Sequence, residues 1–280
     1  GNRVALFETV DDRENVVLGR SNTIKENTTG SAITGGGDNQ IEAHCRSCLI
    51  GGSAGNIIYT NTSYSAIVSG LRNELRANII YSVLGGGFEN WIGRNSVGSV
   101  IACGYQNSIS NYVSYGAISG GYENNIASFA HGASIGCGSN NKIESRAYDA
   151  VISGGRNNTI GQSAYYSTIP GGISNTVYES ADFAMIGGGT KNSIGAFSAA
   201  AAVHGGSANV VYSGSDFATI GGGRDNSIGS LSTYAVIPGG RDNAIGNDAD
   251  YAFAAGRRAK ANHAGTFVWA DSTDEDFASS

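Results

Sequence analysis

The side chains that can ligate a metal or act as acid, base or nucleophile in this sequence are four cysteines, four histidines and 23 carboxylates. Cys45 and Cys48 form a single Cys-x-x-Cys, and a zinc site of that type requires a second pair. Cys103 and Cys137 lie two sequence repeats apart, roughly 9.6 Å at the spacing of neighbouring strands and beyond the ~7 Å limit for a disulfide. All four read as small fillers. His44, His131, His204 and His263 are scattered and suggest no metal cluster. Acidic residues, among them Glu179, Asp182, Asp216, Asp248 and Asp250, fall in a variable stretch, but the G-G-x-G-x-D nonapeptide of calcium-binding solenoids is absent. Glycoside cleavage needs two carboxylates across a cleft, one with a raised pKa, and nothing marks such a pair. The sequence therefore predicts no catalytic residue, no metal and no cofactor.

Binding chemistry has one candidate. Leu71, Phe88, Tyr105 and Tyr122 recur at a single repeat position over four consecutive units. Phe88, Tyr105 and Tyr122 form the candidate ligand surface, since stacked aromatics on a flat face can hold sugar rings. The alternative is that the rings stabilise the turn by stacking on one another, worth ~0.5–1.5 kcal/mol per pair. The same position later carries Arg224, Arg241 and Arg258, with Asp225 and Asp242 adjacent. Neutralisation by these aspartates accounts for the arginines more simply than a bound anion.

These positions are defined by an internal repeat. Asparagine occurs at Asn22, Asn39, Asn56, Asn73, Asn90, Asn107, Asn124, Asn141, Asn158, Asn175, Asn192, Asn209, Asn226 and Asn243, 14 times at steps of 17 residues. Ile, Leu or Val stands two residues after each and six before each. Glycine stands three before each, except at Ser53. A unit this short cannot be a helical repeat, which needs about 33 residues, and Gly-Gly disfavours helix. Small and β-branched residues two apart mark strands. The fold class is thus all-β: a parallel β-solenoid of about 14 coils, each with two short strands joined by a Gly-Gly turn. Pro170 and Pro238 mark the end of the first strand, at a position that needs no ladder donor. The asparagines predict a structural ladder in which each side-chain amide bonds those above and below. Residues 1–15 are expected to cap the solenoid, residues 16–251 to form its repeats, and residues 252–280 to form a last coil and an exit segment.

The first strand has apolar or small residues on both faces. A column of Ser, Ala, Gly or Cys and the Ile column point one way. Residues such as Ala32, Leu49, Val83 and Val100 point the other, with Tyr64, Tyr81, Tyr115, Tyr166, Phe183, Phe217, Tyr234 and Tyr251 beside them. A strand with two apolar faces is normally buried on both, and a two-strand coil covers one. Self-association with cyclic symmetry is the expected remedy.

The last coil, Ala252-Phe253-Ala254-Ala255-Gly256-Arg257-Arg258-Ala259-Lys260-Ala261-Asn262, followed by His263 to Asp271, has the pattern A-x-A-x-G-x-x-A-x-A. It resembles the head repeats of trimeric autotransporter adhesins, the YadA-like left-handed β-roll, and the shafts of phage tail fibres. The resemblance covers residues from about 16 to 271. It implies a left-handed roll, a homotrimer, a chain leaving the roll near Val268 to Asp271, and display outside the cell, on a cell or virion surface. It implies adhesion or attachment to a host receptor or glycan, and transfers no catalytic residue.

Composition agrees with a repetitive, non-catalytic chain. There are 43 glycines and only 2 prolines in 280 residues, which excludes collagen. A net charge of −6 leaves no basic footprint for nucleic acid, and no apolar run reaches the ~20 residues of a membrane span. The lack of an initiating Met and of a signal-like stretch predicts a processed chain or a fragment. The expected function is a non-enzymatic fibre or adhesin segment. The alternatives are a purely structural shaft supporting a separate tip or chaperone, or a tailspike-like enzyme cleaving glycans between chains.

Overall fold

The computed structural model describes residues 14–273 and 275–279. The protein is an all-β parallel β-solenoid of about 15 turns at a spacing near 17 residues. It divides into two compact units, residues 1–139 and 140–280. The cap expected over residues 1–15 lies, apart from its last two residues, outside the described residues. Of those two, Asn15 bonds the next turn: its Oδ1 accepts the Ser31 N–H at 2.9 Å and its Nδ2 donates to Thr28 O at 2.7 Å.

In the first unit each turn has two two-residue strands, such as Val100–Ile101 and Ser108–Ile109. Each pairs in parallel with its copy in the next turn, Val100 with Ala117 and Ser108 with Asn125. Two further positions per turn form single parallel bridges, for example Phe88 to Tyr105 and Val97 to Ser114. The turn therefore has four sides, not the two that periodicity predicts.

The corners between sides are left-handed. In one turn Gly104, Gln106, Tyr112 and Tyr115 have φ of 111°, 54°, 59° and 60°. An ordinary L-residue costs roughly 1–2 kcal/mol there. Part of that cost is offset because the corner reverses the hydrogen-bond direction. The Gln106, Tyr112 and Tyr115 N–H groups donate back to Phe88, Arg94 and Val97 O at 2.8–2.9 Å, while Tyr105 N–H donates forward to Gly121 O. Three corner donors are thereby kept paired.

The interior is a set of stacked columns. Ser99, Ile101, Asn107, Ile109 and Val113 of one turn are all fully buried. Each buried Ile contributes about 1.5–3 kcal/mol relative to exposure. Interior hydroxyls supply acceptors where corners draw carbonyls away. Ser82 N–H donates to Ser65 Oγ, and Ser99 N–H to Ser82 Oγ, both at 3.1 Å.

The first strand points its other face outward, where Leu49, Val83 and Val100 are exposed. The aromatics expected on that strand face lie instead at the left-handed corner just before it: Tyr64, Tyr81, Tyr115, Tyr166, Phe183, Phe217, Tyr234 and Tyr251 all have φ of 51–60°. Adjacent turns repay the strain by ring stacking, Tyr64 on Tyr81 at 5.3 Å and Tyr166 on Phe183 at 5.0 Å, of the same order as the backbone cost.

The proline position is also corrected. Without proline its N–H does donate to the next turn, as from Val68 to Leu84 O at 2.9 Å; Pro170 and Pro238 forgo that bond.

The second unit repeats the two-strand turn, Val151–Ile152 and Thr159–Ile160 being typical. Its last corner differs. Carboxylates on alternate turns bond the backbone of the preceding turn: Asp182, Asp216 and Asp250 Oδ1 accept the Tyr165, Ala199 and Thr233 N–H at 3.0, 2.8 and 2.7 Å. Three of the acidic residues in the variable stretch are therefore backbone acceptors. Near the end the step shortens. Arg241 pairs with Arg257, one position short of the full repeat, and not with Arg258. The step from Phe253 to its partner Phe267 is shorter still. The chain does not leave the roll near Val268 to Asp271, because Phe277–Ala278 returns to pair with Ala259–Lys260.

Candidate functional site

The asparagine column is buried from Asn39 to Asn243, with Asn22 half-buried. Its bonds run mainly to backbone. Asn90 Oδ1 accepts the Asn107 N–H at 2.9 Å. Asn90 Nδ2 donates to Gly86 O at 3.0 Å and to Gly104 O at 2.8 Å. Direct amide-to-amide bonds occur as a third contact in some turns, such as Asn90 Nδ2 to Asn73 Oδ1 at 3.2 Å. One acceptor and two donors on a short stem are what this corner requires, and only Asn has them. The column positions the outer surface and offers nothing to solvent.

In the first unit the side formed by the Phe88–Tyr105 bridges and the second-strand side next to it carry charged groups and a stack of aromatics. Phe88, Tyr105 and Tyr122 are stacked, with centroids 5.2 Å apart at each step and planes within 17°. Tyr105 thus presents its edge, both faces being covered by its neighbours. The Arg72 guanidinium lies 6.0 Å from the Phe88 ring. The geometry is that of a turn-stabilising stack rather than an open sugar platform. A hydrogen bond to Glu123 raises the Tyr122 phenol above its ordinary pKa.

Beside the stack lies a cleft that the sequence reading missed. Trp91 points outward from the second strand, with the Arg76 guanidinium 3.9 Å from its ring. Arg76 also pairs with Glu74, and Arg72 with Glu89, both at 3.3 Å, while Gln106 Nε2 donates to Glu89 at 2.8 Å. These residues line an open cleft of about 560 Å³. A second hollow on the other side of Arg76 is lined by Tyr59, Glu74 and Arg94. Burial, and then the Glu74 charge, raises the Tyr59 phenol. Arg94 is exposed and makes no ion pair among the described residues. The combination suits a polyhydroxylated ligand bearing an acid group: an indole to stack on, carboxylates to accept hydroxyl hydrogens and a free guanidinium for the acid. The signal available in sequence was Trp91 at an outward strand position, one step from the aromatic column.

In the second unit Tyr178 and Tyr212, each about half exposed, flank Gly195 along a cleft of about 510 Å³. Arg224 and Arg241 are neutralised by Asp225 and Asp242 at 2.8 and 3.1 Å. Arg258, out of that register, pairs with Asp276 at 2.8 Å. Among the described residues no three His, Cys, Asp or Glu side chains gather as a metal site, and no helix is long and apolar enough to cross a membrane. No protein-family model matches the chain, and no curated protein matches it.

Proposed function

We propose that this chain is a non-enzymatic, self-associating fibre or adhesin segment. Three copies pack their first-strand sides together and turn their second-strand sides outward, at a cell or virion surface, toward a host receptor or an acidic glycan. The observation that carries this reading is the segregation of charge. Charged residues make up 14% of the chain, yet the first-strand segments of successive turns, from 30–35 to 234–239, hold a single one, Asp149. The same side exposes aromatics, Tyr81 at 61%, Tyr115 at 70% and Tyr251 at 67%. Repeated along a solenoid, such a side is an interaction surface.

The test is the solution mass of the chain by light scattering. A mass of three chains is expected, and a monomer overturns the reading. Val100→Asp changes an outward side chain on that side, so it should leave the far-ultraviolet circular dichroism intact and shift the mass to one chain.

The outward cleft is tested separately on acidic glycans. Binding is expected, with Trp91→Ala weakening it about tenfold, the loss of roughly 1.4 kcal/mol of stacking. The regularity of the Asn column favours a second reading, a purely structural shaft, which gains if no glycan or receptor binds. Release of cleaved sugar would favour an enzyme instead.

A further inference from the structure

Cys45 and Cys48 belong to neither surface. Both are buried, at 1% and 2% exposure, and flank one left-handed corner at Ser47, whose φ is 51°. From Thr28 to Ala252 every other turn fills these two interior columns with Ser, Thr, Ala, Val, Ile or Gly; only here do two thiols meet. The columns touch. In the turn that carries Val113 and Gly116 at these positions, a β-carbon placed at 116 would stand 2.7 Å from Val113 Cγ1. The two columns are thus adjacent, close enough for linked sulfurs, whose β-carbons stand about 3.8 Å apart. In the cysteine turn both sulfurs lean on the same neighbouring segment, Cys45 Sγ on Tyr59 O and Cys48 Sγ on Thr62 O, each at 3.3 Å.

We infer that Cys45 and Cys48 form a disulfide within one turn of the solenoid, closed across the Ser47 corner as the chain folds in the presence of a small-molecule disulfide. The oxidant is a compound RSSR, such as oxidised glutathione. One cysteine thiolate attacks it, forming a mixed disulfide and releasing RS⁻. The thiolate of the second cysteine then attacks the protein sulfur of that mixed disulfide, forming the Cys45–Cys48 bond and releasing the second RS⁻. Two thiol protons pass through solvent to the two released RS⁻; the protein loses two electrons and RSSR gains them, ending as two RSH. Since both sulfurs are enclosed in the finished fold, the exchange belongs to the folding chain.

The experiment uses the full chain carrying C103S/C137S, substitutions at two exposed positions, so that only the inferred pair remains. The protein is unfolded under reduction, refolded in a mixture of reduced and oxidised glutathione, and its soluble folded fraction is alkylated in denaturant. The expected product is two hydrogens lighter than the reduced chain and takes up no alkyl group until a reductant is added. Hydrogen exchange of the Leu49 and Ile50 amides should slow about tenfold on oxidation. Alkylation of both Cys45 and Cys48 without reductant overturns the inference, as does a glutathione adduct on either. The unsubstituted chain, mapped by peptide digestion, adds a second reading: a bridge joining either residue to Cys103 or Cys137 overturns it equally.

Discussion

Gly87→Ala is expected to open its turn by about 4 kcal/mol, where Gly35→Ala in the same unit changes stability by less than about 1. Gly87 has φ of +93°, and a β-carbon there would stand 2.0 Å from Gly104 O and 2.7 Å from Asn90 Nδ2. That carbonyl accepts two bonds, from the Phe88 N–H at 2.9 Å and from Asn90 Nδ2 at 2.8 Å. The methyl group must therefore push away an acceptor that serves both a bridge and the ladder. Left-handed backbone costs alanine about 1–3 kcal/mol, and overpacking against rigid backbone a similar amount. Gly35 has no β-carbon clash within 4 Å, so alanine there only lowers the entropy of the unfolded chain. Hydrogen exchange of the Leu84 and Ile101 amides measures the difference, with a loss of protection of about a thousandfold in Gly87→Ala. Equal protection in the two variants would mean that the turns slide past the methyl group without cost.

The second large effect is expected at the asparagine ladder. Asn90→Ala leaves the Asn107 N–H and the Gly86 carbonyl without their side-chain partner and removes one of two bonds to Gly104 O. At about 1–3 kcal/mol for each orphaned group, the loss is about 3–5 kcal/mol. Asn90→Asp separates donor from acceptor. Its Oδ1 can still receive the Asn107 N–H, but its second oxygen faces the two carbonyls that Nδ2 had served. A buried carboxylate against two acceptors is disfavoured as the charged form, so its folded pKa rises above the unfolded value of about 3.9. The folded state then binds the proton more tightly. The destabilisation is fullest above the folded pKa and shrinks as pH falls through it, because the protonated carboxyl can donate. Denaturation of the two variants from about pH 7 to pH 4 checks this: the stability of Asn90→Asp relative to Asn90→Ala should rise on acidification. A flat difference would place the substituted side chain in solvent.

The fold was legible because three columns, Asn, Ile and Gly, keep register through every repeat, and each answers one requirement of a stacked turn. The ladder's true partners were less so. Asn90 reads as an amide stacked on amides, yet its strongest contacts are to the Asn107 N–H and the Gly104 carbonyl, whose positions depend on a corner the periodicity does not describe. The aromatic corners were misplaced for a related reason. Tyr115 beside a strand pattern reads as a strand residue, since tyrosine at φ of 60° is unfavourable alone and tolerable only with a ring or a glycine one turn away. A β-carbon on Gly98 would stand 2.9 Å from the Tyr115 ring, so the small residue below makes room for the large one above. The Trp91 cleft was illegible because Glu74 and Arg76 come from one repeat, Glu89 and Trp91 from the next and Gln106 from the one after, all at variable positions; they meet only once the register is known. The arginine column failed at its last member because the step there loses one position and substitutes Arg257 for Arg258.

The constancy of that register bears on how such a chain can change over generations. From Arg20 to Tyr115 every bridge joins a residue to its equivalent one repeat later, and the corner bonds recur from turn to turn. Duplication or loss of a whole repeat, by recombination between similar stretches of coding sequence, would rejoin equivalent carbonyls, asparagines and isoleucines. Copy number is thus free to drift, while loss of a codon within a strand would turn that strand's interior side chains outward; at a corner one residue can be lost, since Ile245 still pairs with the buried Ala261. The outward positions carry no such constraint. Ile57, Glu74 and Trp91 occupy one column in successive turns. A lineage could therefore exchange its exposed chemistry repeat by repeat, reshuffling what a partner or an antibody meets while the scaffold beneath is inherited intact.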